Sequence, residues 1–163
     1  VMLRKDKINY YLDIAETVSE RSTCLRKMWG AIIVNNDEIV ATGYNGAPRG
    51  RANCLDTGVC IREKLKIPRG ERYEICRSVH AEANAIISAS RRDMIGATLY
   101  LVGRDAATKE YVENPSSCSM CKRMVINAGI LQVIVRINRT EYKAFPVHDW
   151  IENDESLNGT FGY

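Results

Sequence analysis

The sequence predicts an α/β protein, with one mixed sheet and helices on both faces. Three observations carry that reading. Apolar residues recur at helical spacing in separate segments. Short runs rich in valine and isoleucine lie between those segments. Glycine, proline and asparagine clusters mark the boundaries. The resulting order is helix, two strands, helix, strand, helix, strand.

The first helix is expected over residues 6–21. Asp6 can cap it, and Ile8, Leu12, Ala15 and Val18 fall on one face. Residues 31–34 and 39–41 are apolar runs joined by Asn35, Asn36 and Asp37, which read as a hairpin turn. Gly43-Tyr44-Asn45-Gly46-Ala47-Pro48-Arg49-Gly50 is a loop rich in breakers. Residues 51–77 show no periodicity and hold three cysteines. A stretch this long inside a compact domain needs something to staple it. Residues 79–89, rich in alanine and isoleucine, read as a buried helix. Residues 98–102 read as a strand, and 103–117 as polar and irregular. Residues 120–128 read as a helix closed by Gly129, and 131–137 as a further strand. Beyond Asn138 the chain is polar. Residues 142–150 are expected to pack on the core, and 152–163 to form a mobile tail.

The chain has 163 residues, 45% hydrophobic and 26% charged, which suits one globular domain spanning 1–163. Its 23 basic and 20 acidic residues give a net charge of +3. That balance does not call for a nucleic-acid partner, and it is compatible with a small anionic substrate. No apolar stretch approaches the roughly 20 residues of a membrane span. The N-terminal residues have no signal-peptide apolar region. The expected location is cytoplasmic, where six cysteines point to metal binding or catalysis rather than disulfides.

Two segments carry the chemistry. One is Ser78-Val79-His80-Ala81-Glu82, the other Cys118-Ser119-Met120-Cys121. A catalytic zinc has three protein ligands and one position left for water. His80, Cys118 and Cys121 fill the three places and leave Glu82 free to move protons. Cys118 and Cys121 stand three apart at a helix start, so both sulfurs can face one point where the helix end favours thiolates. His80 and Glu82 are two apart and would diverge inside a regular helix. They are therefore expected at a helix start, with the metal above it. A lone Cys-x-x-Cys also suits a structural zinc, and a lone histidine is often only hydrogen-bonded. The two segments together match the H-x-E and C-x-x-C pattern of zinc deaminases. There a metal activates water, lowering its pKa to about 7, and the glutamate acts as general acid and base.

With these segments in view, the chain resembles the deoxycytidylate deaminases of the cytidine-deaminase superfamily. The matching stretches are Arg21-Ser22-Thr23-Cys24-Leu25-Arg26, Gly43 to Gly50, His80 to Ile86 and Cys118 to Gly129, within residues 20–136. The Gly-Tyr-Asn-Gly-x-Pro loop is the more specific match, since the whole superfamily shares the zinc pattern. The resemblance implies a three-layer α/β/α cytidine-deaminase-like fold around a mixed five-stranded sheet. It implies hydrolysis of dCMP to dUMP and ammonia with a catalytic zinc. It further implies regulation by dCTP and dTTP with magnesium accompanying the nucleotide, and a homo-oligomer, often a hexamer. By the same resemblance Asn45 contacts substrate sugar and base, Arg91 approaches the 5′-phosphate, and Arg49 lies in a nucleotide-binding loop. Read alone, Asn45 suits a left-handed turn. Arg91 and Arg92 suit a solvated helix end.

The chain departs from the family in three places. Ser117 replaces the usual proline before the first zinc cysteine, and Pro115 stands two residues earlier. The stretch 103–117 is longer than usual, which puts the pocket shape in question. Trp29 replaces a small aliphatic residue and is expected to pack on the added stretch.

The remaining cysteines are Cys24, Cys54, Cys60 and Cys76. Four thiolates suit a closed structural zinc site, and microbial relatives often carry a second zinc at the corresponding places. The alternatives are free buried cysteines and disulfides. Rival functions are a deaminase of free cytidine, of adenosine in transfer RNA or of a guanine- or pterin-like ring, and a non-catalytic nucleotide-sensing zinc protein. Asp149, Glu152, Asp154 and Glu155 would repel an RNA backbone. Arginines near the proposed site favour a phosphorylated substrate. Glu82 has no use in a purely structural site.

Overall fold

The computed structural model describes residues 3–154. The tail expected from residue 152 therefore lies mostly outside the described residues, as does Glu155. The elements run α1 (Lys7–Ser19), β1 (Lys27–Asn35), β2 (Glu38–Tyr44), α2 (Cys54–Thr57), α3 (Ile61–Lys64), a 3₁₀ turn (Tyr73–Ile75) and α4 (Ala81–Ile87). There follow α5 (Arg91–Met94), β3 (Thr98–Asp105), α6 (Ser119–Ala128), β4 (Gln132–Arg136), β5 (Tyr142–Pro146) and α7 (Val147–Glu152).

Asp6 caps α1, its carboxylate accepting from the Asn9 backbone at 3.0 Å. The β1–β2 connection turns on Asn36 and Asp37, with φ of 51° and 63°. Two successive left-handed residues make the tight turn whose twist matches the flanking strands. The five strands form one sheet in the order β2-β1-β3-β4-β5. Only β3 and β4 are parallel; the other neighbours are antiparallel. The parallel pair needs a crossover, and α6 lies within it.

Strand alternation divides the core in two. Ile32, Val34, Tyr100, Val102 and Ile134 face α1 and bury Tyr11, Leu12 and Ala15. Ala31, Ile33, Leu99, Leu101, Val133 and Val135 face the other way, with Ala81, Ala85, Val125, Ala128 and Val147. Two apolar faces on one sheet require helices on both sides, which gives the three layers.

Periodicity alone reveals four strands. The fifth, β5, lies in the stretch after Asn138 read as polar, and its residues are mostly exposed. An edge strand with little buried surface leaves a weak apolar signature, so backbone pairing with β4 defines it. The segment 103–117 is also more ordered than its composition suggests. β3 extends to Asp105, and the chain then folds back beside it. Asp105 N donates to Glu110 O at 2.7 Å and Val112 N to Gly103 O at 3.0 Å.

The position of α4 depends on β2. A Cβ on Gly43 would collide with the α4 backbone at Ala81 and Ala85. The bare glycine lets helix and strand approach closely enough to set the start of α4 at the sheet edge.

Candidate active site

His80 occupies the N-cap position of α4, with extended backbone at φ −67° and ψ 155°, and Glu82 sits in the first turn. Cys118 occupies the N-cap position of α6, with φ −71° and ψ 166°, and Cys121 lies one turn inside. The cap geometry resolves the two-residue spacing: His80 lies outside the helix, so it need not follow the helical direction of Glu82. Contacts between α4 and α6 bring the two starts together.

His80 Nδ1 stands 3.3 Å from Cys118 Sγ and 3.5 Å from Cys121 Sγ. Donor atoms of the three residues all lie within 4.8 Å of one another. Zinc bonds of about 2.3 Å to sulfur and about 2.0 Å to nitrogen, at a tetrahedral angle, place such donors about 3.5 Å apart. The observed spacing fits zinc in a three-ligand set with one place open.

The electrostatics favour one thiolate at the paired cysteines, on Cys118. The Cys118 thiol is held down to about 4 by the hydrogen bond from Cys121, and also by His80. The Cys121 thiol is pushed up because it donates to Cys118, and burial adds to the effect. Glu82 is 5% exposed, and burial pushes its carboxyl above the ordinary range. Burial thus favours the protonated form, as a proton-carrying group requires.

His80, Glu82 and Cys118 open onto one cleft. Trp29 and Asn45 form part of its wall, and Arg26, Lys27 and Arg69 bring cationic groups to it. Arg26 pairs with Glu63 at 3.0 Å and Lys27 with Asp105 at 3.1 Å, while Arg69 has no ion pair among the described residues. Asn45 is buried and braces β1. Its Oδ1 accepts from Trp29 N at 2.9 Å, and its Nδ2 donates to Lys27 O at 2.9 Å. The folded-back segment adds Val112 and Ser116 to the cleft wall. Trp29 packs on Gly103, where any Cβ would strike the indole ring. The indole and the missing side chain are therefore complementary.

Ser117, which stands in the place of the family's proline, is 1% exposed. Its hydroxyl is near enough to act on the Glu82 carboxyl, yet it makes no hydrogen bond of good geometry here.

The structure does not bring Arg91 or Arg49 to the cleft. Arg91 is exposed at the start of α5, where its Nε donates to Asn127 O at 2.9 Å. Arg49 is exposed in the loop after β2. The cations at the cleft, Arg26, Lys27 and Arg69, received no role from the sequence. Tyr73 and Arg62 were also missed. The available signal was the basic density of residues 62–72 in a segment without periodicity.

The four other cysteines gather beside the same cleft. Cys24, Cys60 and Cys76 line it. The Cys54 thiol is pushed up by burial and then by Cys24, Cys76 and Cys60 around it. Backbone N–H groups of Arg26 and Ser78 each donate at 3.4 Å, to Cys24 Sγ and Cys76 Sγ. Among the described residues, the group with mutual donor spacing within 4.8 Å is His80, Cys118 and Cys121, and these four do not reach it. All six cysteines are free of disulfides.

Residues 5–137 match the cytidine and deoxycytidylate deaminase zinc-binding region, and the chain belongs to that family. The deoxycytidylate deaminase of Mycobacterium phage D29 is 37% identical over 138 residues, covering 82% of this chain and 96% of that one. The Schizosaccharomyces pombe deoxycytidylate deaminase is 31% identical over 126 residues, 77% of this chain and only 35% of the yeast protein. Among solved structures, dCMP deaminase from cyanophage S-TIM5 in apo form aligns with a TM-score of 0.56 at 28% identity, over 84% of this chain and 90% of that one. The same phage enzyme in complex with dCMP and dUMP aligns at 0.54 and 26% identity, over 83% and 84%.

Proposed function

We propose that this chain hydrolyses dCMP to dUMP and ammonia. The observation that carries the reading is a buried carboxyl, Glu82, beside a His80–Cys118–Cys121 set spaced for zinc, in a cleft that also gathers Arg26, Lys27 and Arg69. Relatives named for this activity, and a structural neighbour solved with dCMP and dUMP, support the choice of substrate.

His80, Cys118 and Cys121 would hold a zinc ion, which would supply Lewis-acid activation of a water molecule. Glu82 takes the proton from the attacking water and delivers it to N3 of the pyrimidine. A C4–O bond forms. Glu82 then moves the remaining proton from the C4 hydroxyl to the exocyclic amine, the C4–N bond breaks as the C4 carbonyl forms, and ammonia departs. Asn45, fixed by its bonds to β1, presents the rest of its amide to sugar and base. Arg69, with Arg26 and Lys27, meets the 5′-phosphate, because a guanidinium matches phosphate oxygens in charge and shape. This assignment takes the phosphate role from Arg91.

The reading extends to a single domain, a cytoplasmic location and a homo-oligomer, a hexamer by the family's habit. It includes a structural zinc at Cys24, Cys54, Cys60 and Cys76, and dCTP activation and dTTP inhibition with magnesium, Arg49 lying in the effector loop. Clustering of the four thiols supports the second zinc.

The test is ammonia release from dCMP, deoxycytidine, dCTP and AMP offered separately to zinc-loaded protein, with and without dCTP and magnesium. Turnover of dCMP well above deoxycytidine is the expected result. Turnover of deoxycytidine equal to that of dCMP would remove the phosphate from the reading, and no turnover of dCMP would overturn it.

A further inference from the structure

Among the described residues, His80 makes hydrogen-bond contacts through Nδ1, toward Cys118 and Cys121. Those contacts locate one nitrogen but leave the imidazole plane free to tilt. A metal-binding histidine ordinarily gains its second restraint from a hydrogen bond at the other ring nitrogen. Here an aromatic ring is in contact. Tyr73 meets His80 in a T-shaped arrangement, with centroids 4.9 Å apart and planes at 84°. Edge-to-face contact is a favoured geometry for two π-systems, and it resists rotation of either ring.

Tyr73 is itself held. The Arg62 guanidinium lies 4.4 Å from the Tyr73 centroid, within range of a cation–π contact. Arg62 is only 6% exposed. Its Nε donates to Glu71 O at 3.2 Å, and its Nη2 donates to Glu71 O at 2.9 Å and Pro68 O at 3.2 Å. A buried guanidinium is costly unless hydrogen-bonded, and these carbonyls meet that requirement. They also fix the plane of the guanidinium against the tyrosine. A lysine, with one ammonium and no fork, cannot reproduce the arrangement.

We propose that Tyr73 is a positioning residue for His80, braced by Arg62, so that the segment between Cys60 and Cys76 sets the geometry of the metal centre. The inference rests on His80, Cys118 and Cys121 as the metal ligands. It gives the segment without periodicity a function beyond its cysteines: its fold orients a ligand that lies outside it in sequence.

The test uses the full chain loaded with cobalt(II), whose visible d–d bands report ligand geometry without turnover, together with metal release to a chelator. Tyr73→Phe keeps the ring and is expected to stay nearer the wild type than Tyr73→Leu in both. Tyr73→Leu is expected to shift the bands and to speed metal release about 10-fold or more, the scale seen when groups behind a metal ligand are removed. Arg62→Lys is expected to move both in the same direction by a smaller amount. A Tyr73→Leu protein with wild-type bands and wild-type release would overturn the inference while leaving the metal ligands in place. If Tyr73→Leu does not fold, Arg62→Lys decides, and unchanged bands there overturn it. A wild type that takes up no cobalt would overturn the ligand assignment and this inference together.

Discussion

Glu82 shows how one side chain acquires a task from its surroundings. In water its carboxyl would be ionised at neutral pH. Buried at the start of α4, it is pushed toward the protonated form, first by desolvation, while His80 pulls the other way. The balance suits a group that must accept and return a proton. Glu82→Gln keeps the size and polarity but cannot shuttle. Turnover should fall by about 10²-fold or more, with zinc content unchanged by metal analysis. Equal activity in the variant would remove Glu82 from the mechanism. At this scale the sequence was informative: His80, Glu82, Cys118 and Cys121 are identifiable by type and spacing alone, since the chemistry demands those atoms. Arg91 was chosen by its place along the chain, and the structure puts it on a carbonyl of Asn127 instead.

The elements work through their ends. α4 and α6 each begin at a residue of the candidate metal site, so its geometry follows from helix placement rather than from loop conformation. β3 ends in the tight fold-back that builds the cleft wall, and Asp105 closes it. Its carboxylate accepts from the Thr108 and Ala107 backbones at 3.0 and 2.9 Å and pairs with Lys27 on β1. The backbone bond from Thr108, then Lys27, hold this carboxyl down at about 2, against an ordinary 3.8. A carboxyl lowered by folding stabilises the folded state in full above its unfolded value. That contribution is lost as the pH falls through the folded value. The difference in unfolding midpoint between wild type and Asp105→Ala should therefore be full at pH 6 and shrink between about pH 4 and pH 2. A difference that stays constant over that window would show that the loop does not depend on the ionised group. The sequence located α1, α4, α6 and the hairpin, since each has a periodicity or a turn signal. It marked neither β5 nor the extension of β3, which backbone pairing defines rather than side-chain pattern.

At the scale of the whole molecule, α1 is tied to β4 by Arg136. This residue is fully buried and holds Asp13 at 2.7 Å and Glu16 at 3.3 Å, while its Nη2 donates to Asn9 O at 3.2 Å. Removing it leaves acidic groups without their partner, but Asp13 remains 33% exposed and partly solvated. Arg136→Ala should cost about 2 to 4 kcal/mol in chemical unfolding, less than for a wholly buried pair. A cost under about 0.5 kcal/mol would mean that hydration replaces the whole network. The second cysteine cluster also belongs to this scale, because Cys24, Cys54, Cys60 and Cys76 come from separate parts of the chain. Cys54→Ser together with Cys60→Ser should reduce bound zinc from about two ions per chain to about one, read by metal analysis. A wild type that holds one ion per chain would leave these thiols as packed, metal-free cysteines.

By itself the sequence determined the candidate metal-ligand set, the carboxyl beside it and the alternation of helix and strand. These depend on residue type and local spacing, which the chain carries directly. The tertiary structure decided which cations face the cleft, how Arg62 and Tyr73 reach His80, and where the fifth strand pairs. Each of these is a meeting of groups distant in sequence. It is set by how α4 seats on β2, how the segment after β3 folds back, and how the stretch between Cys60 and Cys76 closes around buried Arg62. No local pattern encodes such meetings, because their free energy comes from packing and desolvation after the layers have assembled.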